Sequence, residues 1–193
     1  RAFDFRVDKT LVEINPYATH NSTWGIDGKE GKDKLYHKEK SDLAAQNGYS
    51  CLHVWDWDDR EKILELLQPR TPVYARKCKL RVIEQKDANV FLKRYHLQNG
   101  AKMQRVCLGL FYEGDLVEVM TFGPPRFNKN FEWELIRLCT KTGIRVLGGS
   151  QKLWKHFVEE YKPKSVISYC DRSKFSGKIY GDLGFTLRSA GMP

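Results

Sequence analysis

Asp4, Glu13, His20 and His37 are the residues of this sequence best suited to chemistry. Asp4 lies in a first apolar run and Glu13 in a second, where it opens the triplet Glu13-Ile14-Asn15. An Asp on one strand of a hairpin and an E-x-polar triplet on the next can converge at one end of a sheet. Two carboxylates there can hold a hard cation such as Mg²⁺ or Mn²⁺, which takes oxygen ligands. Such an ion polarises a phosphodiester and lowers the pKa of a bound water. His20 follows beyond the second strand. Asp33, Lys34, His37 and Lys40 stand at i, i+1, i+4 and i+7 of one helix, so Asp33, His37 and Lys40 share a face. Imidazoles near a cation-held phosphate can take a proton from water or give one to a leaving oxygen. Taken singly, the same residues read as edge-strand charges and a solvated helix face. Spacing alone favours that plainer reading.

The elements that must position these residues are legible from alternation and turn signals. Phe3–Val7 and Thr10–Ile14 read as strands joined by a tight turn at Asp8-Lys9, and residues 21–32 as a Gly-rich loop. Asp33–Gln46 reads as a helix stopped by Asn47-Gly48, Cys51–Trp55 as a strand, and Arg60–Leu67 as a helix capped from Asp58 or Asp59. This β-β-α-β-α order predicts a small α/β domain over residues 1–70. Pro69 and Pro72 end any helix before them and mark the boundary. From residue 73 to 193 the pattern predicts a larger α/β domain. Its strands are Leu80–Ile83, Val106–Tyr112, Leu116–Phe122, Glu132–Cys139, Arg145–Leu147 and Ser165–Cys170. Its helices are Asp87–Tyr95, Gly148 to about Tyr161, and Gly177–Asp182.

Charge is divided unevenly along the 193 residues. Residues 1–72 carry 11 Lys/Arg and 13 Asp/Glu, and residues 73–193 carry 22 and 11, for a formal net charge of +9. A basic half beside a slightly acidic one points to a polyanion partner, double-stranded DNA, held mainly by the second half. Cys51, Cys78, Cys107, Cys139 and Cys170 lie about thirty residues apart with no CxxC pair, which excludes a sequence-local zinc knuckle and predicts reduced thiols in a cytoplasmic protein. No apolar run approaches the ~18–20 residues that span a bilayer, so no membrane partner is expected. The chain opens at Arg1 without a Met, and we expect a piece of a longer protein.

Three blocks, in order, resemble a phage homing-endonuclease family of the PD-(D/E)XK superfamily, related to the very-short-patch repair endonucleases, whose catalytic motif is written E-D-x-H-D. Glu13-Ile14-Asn15-Pro16-Tyr17-Ala18-Thr19-His20 is similar to its E-[FI]-N-G-x-x-W-H segment. Lys32 to Lys40 resembles its K-D-x-x-Y-H-x-x-K helix, and Asn47 to Asp56 its G-Y-x-L-x-H-x-W/F-E/D strand. The likeness covers about residues 3–67. It implies Asp4 as metal-binding Asp, with Glu13 beside it, and His20 as catalytic His. Asp33, or in competition with it Asp27, would be the last Asp of the motif. Glu13, Asn15, Lys34 and His37 match further motif positions. Pro16 and Thr19 stand where the family has Gly and Trp, and its first Glu comes from a helix upstream of the Asp.

In the second half, Arg145-Val146-Leu147-Gly148-Gly149-Ser150 resembles the R-x-x-G-x-G/A loop with which GNAT-type acyltransferases bind coenzyme A. Tyr169 to Phe185 resembles the Y-x-D-R…G-x-x-Y-x-x-L-G-F ending of phage Mom DNA-modification proteins, and Tyr180 matches the Tyr that can protonate the departing thiolate in true acetyltransferases. The likeness covers about residues 76–187. Ser150 departs from the small last position, and no general base stands out on Glu132–Cys139. The leading expectation is a Mg²⁺-dependent DNA endonuclease in the first half with a basic GNAT-like second half holding DNA. A Mom-like acyltransferase and a non-catalytic DNA-binding module are the alternatives.

Overall fold

The computed structural model describes residues 2–21 and 31–190; Asp27 lies outside the described residues. In chain order the elements are β1 (Phe5–Val7), β2 (Thr10–Asn15), α1 (Tyr36–Gln46), β3 (Ser50–Trp55), α2 (Arg60–Leu66), β4 (Thr71–Tyr74), β5 (Lys79–Val82) and α3 (Gln85–Tyr95). They continue with β6 (Val106–Tyr112), β7 (Asp115–Gly123), β8 (Trp133–Thr140), β9 (Ile144–Leu147), α4 (Gly149–Tyr161), β10 (Val166–Ser168) and α5 (Lys178–Asp182). The result is a mixed α/β protein with three sheets among the described residues. The chain divides into two compact units: Arg1–Asp59 with Cys170–Pro193, and Arg60–Tyr169.

Unit 1 is built on the sheet β1-β2-β3. Asp8, at φ 49°, turns the β1–β2 hairpin, whose strands pair antiparallel, while β2 and β3 run parallel with α1 as the crossover. Helix α1 begins at Tyr36 rather than Asp33. The Asp33 carboxylate accepts the Leu35 N–H at 2.7 Å and its carbonyl accepts that of Tyr36 at 3.0 Å, so Asp33 makes the turn that starts the helix. After unit 2 the chain returns to the β3 edge. The Ser173 carbonyl accepts the His53 N–H at 2.9 Å, Lys174 Nζ donates to the His53 carbonyl at 2.5 Å, and the same ammonium pairs with Asp58.

Unit 2 is a five-stranded sheet in the order β10-β8-β7-β6-β5, antiparallel except where β10 joins β8, plus the parallel pair β4-β9. Glu113 and Gly114, both at positive φ, make the β6–β7 hairpin turn. Alternation along β7 sends Val119 to the α3 cluster of Ala88, Phe91, Leu92, Cys107 and Cys139, and Phe122 to a stack with Phe157 of α4. The segment 69–72, a boundary by its prolines, leads directly into β4. Pro72 is tolerated because both strands of a two-stranded ladder are edges, where a missing N–H has a place. Helix α2, expected in the first domain, belongs to unit 2. Lys62 Nζ caps the end of α3 through the carbonyls of Lys93 (2.8 Å) and His96 (2.9 Å) and Asn99 Oδ1 (2.8 Å), and Ile63 is buried.

Beneath the start of α4, Glu118 is 1% exposed and accepts a hydrogen bond from Ser150 Oγ at 2.6 Å. Burial pushes its carboxyl up to about 7, against the opposing effect of that hydrogen bond. The folded chain therefore keeps a proton that the unfolded chain releases near the ordinary value of 4.5. The stability that this proton contributes is complete below that value and is lost as pH rises through about 7. Urea unfolding should lose on the order of 3 kcal/mol across this window, a loss that Glu118→Gln should largely remove. Gly149→Ala should cost about 1–3 kcal/mol by overpacking, because a methyl there meets Glu118 Oε2 and lies 2.7 Å from Val146 Cγ1.

Candidate functional site

Strand β2 has its polarity reversed: Glu13 (3% exposed) and Asn15 (0%) are buried while Ile14 between them is exposed. A carboxylate that deep needs a partner. It has Lys40 of α1, equally buried, whose ammonium also lies 4.8 Å from the centre of the Phe3 ring. Parallel register sets Glu13 opposite His53 of β3 and Asn15 opposite Trp55. His53 is held at both nitrogens: Asn15 Nδ2 lies 3.1 Å from Nδ1, and Ser41 Oγ lies 2.9 Å from Nε2. Burial, then the charges of His37, Lys174 and Lys40, push its pKa down to about 4, so the ring is neutral. With Asn15 donating to Nδ1, the proton sits on Nε2.

His37 stands among four rings, one of them the adjacent Tyr36 at 5.1 Å. Its centroid is 5.3 Å from His53, 4.8 Å from Trp55 and 5.4 Å from His20. His20 is carried by the turn after β2, in which the Pro16 carbonyl accepts the N–H groups of Thr19 and His20, both at 3.0 Å. Burial lowers the pKa of both rings; Lys32 adds to this at His20, where the charges of Glu13 and Asp4 oppose it. Asp4 sits one step beyond the pair Phe5↔Val12, hence at the register position facing Glu13, and its Oδ2 accepts the Ile14 N–H at 2.8 Å.

Glu13 Oε2, Asn15 Oδ1, His20 Nδ1 and both nitrogens of His37 are buried without a hydrogen-bond partner of normal geometry. Among the described residues the one other such atom is Glu118 Oε2, so the unmet hydrogen-bonding capacity is concentrated at this cluster. It can accept protons and cations.

The structure thus brings Glu13, His20 and His37 together, with Asp4 at the sheet end beside them. It does not bring Asp33, whose side chain is spent on the start of α1, or Lys34, which is exposed. Lys40, His53 and Ser41 were not among the site residues expected from sequence. The available signals were the i+3 step from His37 to Lys40 and the polar residues at buried positions of β2. Among the described residues no group of three or more His, Cys, Asp or Glu could hold a metal ion. The residues of the coenzyme A-like resemblance are divided: Gly148 (φ 77°), Gly149 and Ser150 open α4 in unit 2, and Tyr180 lies in α5 of unit 1, its ring 5.8 Å from Phe185. All five cysteines are free thiols, and no described helix is long and apolar enough to cross a membrane.

No family model and no curated protein matches the chain. Among solved structures it is similar to ribosomal-protein-alanine N-acetyltransferase from Brucella melitensis biovar Abortus 2308, with a TM-score of 0.44 and 17% identity over 59% of this chain and 96% of that one. That neighbour falls on the acyltransferase side of the expectations, and no comparison supports the endonuclease side. At this level of likeness it carries no argument about activity.

Proposed function

We propose that unit 1 is a metal-dependent phosphodiesterase acting on DNA, with the basic unit 2 holding the substrate. The observation that carries this reading is the concentration of buried, unpartnered acceptors and imidazoles beside Asp4 and Glu13. The donor set fits Mg²⁺ or Mn²⁺. Such ions commonly take one or two carboxylates and complete their shell with water and substrate phosphate, which agrees with two carboxylates and no third protein ligand. Glu13 retains an unpartnered oxygen, Oε2, although Lys40 holds the other. A cation held by Asp4 and Glu13 would supply a Lewis acid for the scissile phosphate. The chain's own part is proton handling: His20, kept neutral by burial, takes the proton of the attacking water. His37 and His53 fix that ring's surroundings. Unit 2 has 21 Lys/Arg against 11 Asp/Glu, whereas the residues of unit 1 are nearly balanced at 12 against 13. Phosphate contacts of that kind hold DNA without reading it.

The test is incubation of the full chain with duplex DNA and Mg²⁺ or Mn²⁺. Cleavage should appear with the metal and vanish on adding EDTA. Metal-independent cleavage would remove the cation from the reading, and binding without cleavage would leave a DNA-binding module.

An acyl-transfer reading has one observation of its own, the exposed left-handed Gly148 at the opening of α4, where backbone N–H groups could meet a phosphate. Against it, the Glu118 carboxyl already lies under that helix start and would oppose a pyrophosphate whenever ionised. Calorimetric titration with acetyl-CoA should show no binding near micromolar levels. Tight binding, with a transfer reaction lost in Tyr180→Phe, would replace the nuclease reading.

A further inference from the structure

We propose that one end of the unit 2 sheet is a platform for unpaired bases of single-stranded DNA, with Phe127 as the stacking ring. This rests on DNA as the partner in the reading above, but not on cleavage. Strand β6 begins at Val106 opposite Phe122, and β7 ends at Gly123. Residues 101–105 and 124–131 therefore emerge at the same sheet end. The first segment packs against the end of β7 from which the second departs, since a Cβ on Gly123 would collide with the Met103 carbonyl oxygen.

The second segment is held firmly. Arg126 donates to Glu134, which is 0% exposed, through its backbone N–H (2.7 Å), Nε (2.8 Å) and Nη2 (2.5 Å). Asn128 Oδ1 accepts the Asn130 N–H at 3.1 Å. Burying a carboxylate to fix a loop carries a desolvation cost. What the loop then presents is Phe127, 73% exposed, with Tyr169 edge-on at 5.3 Å and the Arg126 guanidinium 5.5 Å from its ring centre. An apolar ring held out to water contributes little to folding, so its placement points outward.

The exposed cations Lys102, Arg105 and Lys129 on these two segments, the last with its ammonium also donating to the Pro125 carbonyl, select the occupant. A nucleotide offers an aromatic face to the ring and a phosphate to the cations. Duplex DNA keeps its faces stacked inside, and an apolar protein surface would leave the cations uncompensated.

The test is fluorescence anisotropy of the full chain with labelled oligo-dT and with a blunt duplex, in EDTA so that cleavage plays no part. Phe127→Ala should weaken oligo-dT binding about tenfold, leave the duplex within about twofold, and keep the salt dependence unchanged because no charge is removed. Lys102→Ala with Arg105→Ala should instead flatten the salt dependence, by about 0.7 in slope for every phosphate that is no longer neutralised. The melting temperature of the Phe127 variant checks that it is folded. Absent oligo-dT binding by the parent chain, equal binding by the Phe127 variant, or equal weakening on the duplex would each overturn the platform. Cleavage with no Phe127 effect would sink the platform alone; oligo-dT binding that disappears with Phe127, without metal-dependent cleavage, would sink the nuclease alone.

Discussion

Asp4→Asn is expected to abolish DNA cleavage while leaving DNA affinity nearly intact. The substitution is close to isosteric, and the Asn carbonyl oxygen can still accept the Ile14 N–H that Asp4 Oδ2 accepts at 2.8 Å. What disappears is the negative charge that a cation would need, so the fold stays and the chemistry goes. Affinity persists because the excess positive charge belongs to unit 2. His20→Ala should slow cleavage by about 10²–10⁴, the usual contribution of a positioned acid–base group. A timed plasmid-cleavage assay, run beside anisotropy on the same preparations, reads both. An Asp4→Asn protein cleaving within tenfold of the parent chain would end the assignment.

Lys40→Met should destabilise unit 1 by about 3–5 kcal/mol, since it leaves the buried Glu13 carboxylate without its counter-charge. Combining it with Glu13→Leu removes the stranded charge, and most of the loss should return. Urea unfolding of the two single variants and the double variant measures this directly. The double variant also separates structure from chemistry: it should fold and yet not cleave, because the Glu13 carboxylate, with its unpartnered Oε2, is gone. A cost below about 1 kcal/mol for Lys40→Met would show that water reaches Glu13 freely.

Much of the fold is legible in the sequence because local rules decide it. Asn47-Gly48 ends α1 and Glu113-Gly114 turns a hairpin, each within a residue or so of expectation, because a left-handed backbone singles out a few residue types. Pro72 misleads for a similar reason: a proline reads as a break unless one knows that its strand is an edge. The affiliation of α2 with unit 2 is set by Lys62 reaching carbonyls more than thirty residues away, which no local pattern encodes. At the candidate site, carboxylates and imidazoles announce themselves by type. Asp33 shows the limit of that, since the same carboxylate suits a catalyst or a helix start, and its Oδ1 accepts the Leu35 N–H where α1 begins. His53 was visible as a histidine in a strand, but its neutral, doubly held state follows from burial and from partners on β2 and α1.

The return of residues 170–175 to the β3 edge sets an order of events during synthesis. Unit 2 is one continuous stretch and can fold as it leaves the ribosome. Unit 1 needs both flanks of that stretch, and 121 residues separate His53 from the Lys174 that fastens onto it. At about 5–20 residues per second, β3 waits on the order of ten seconds with its outer edge uncovered. During that interval a neighbouring nascent chain of the same kind offers the same Ser173–Lys174 strap. Dense polysomes therefore favour exchange of this strap between copies, and fast, sparse translation favours self-closure.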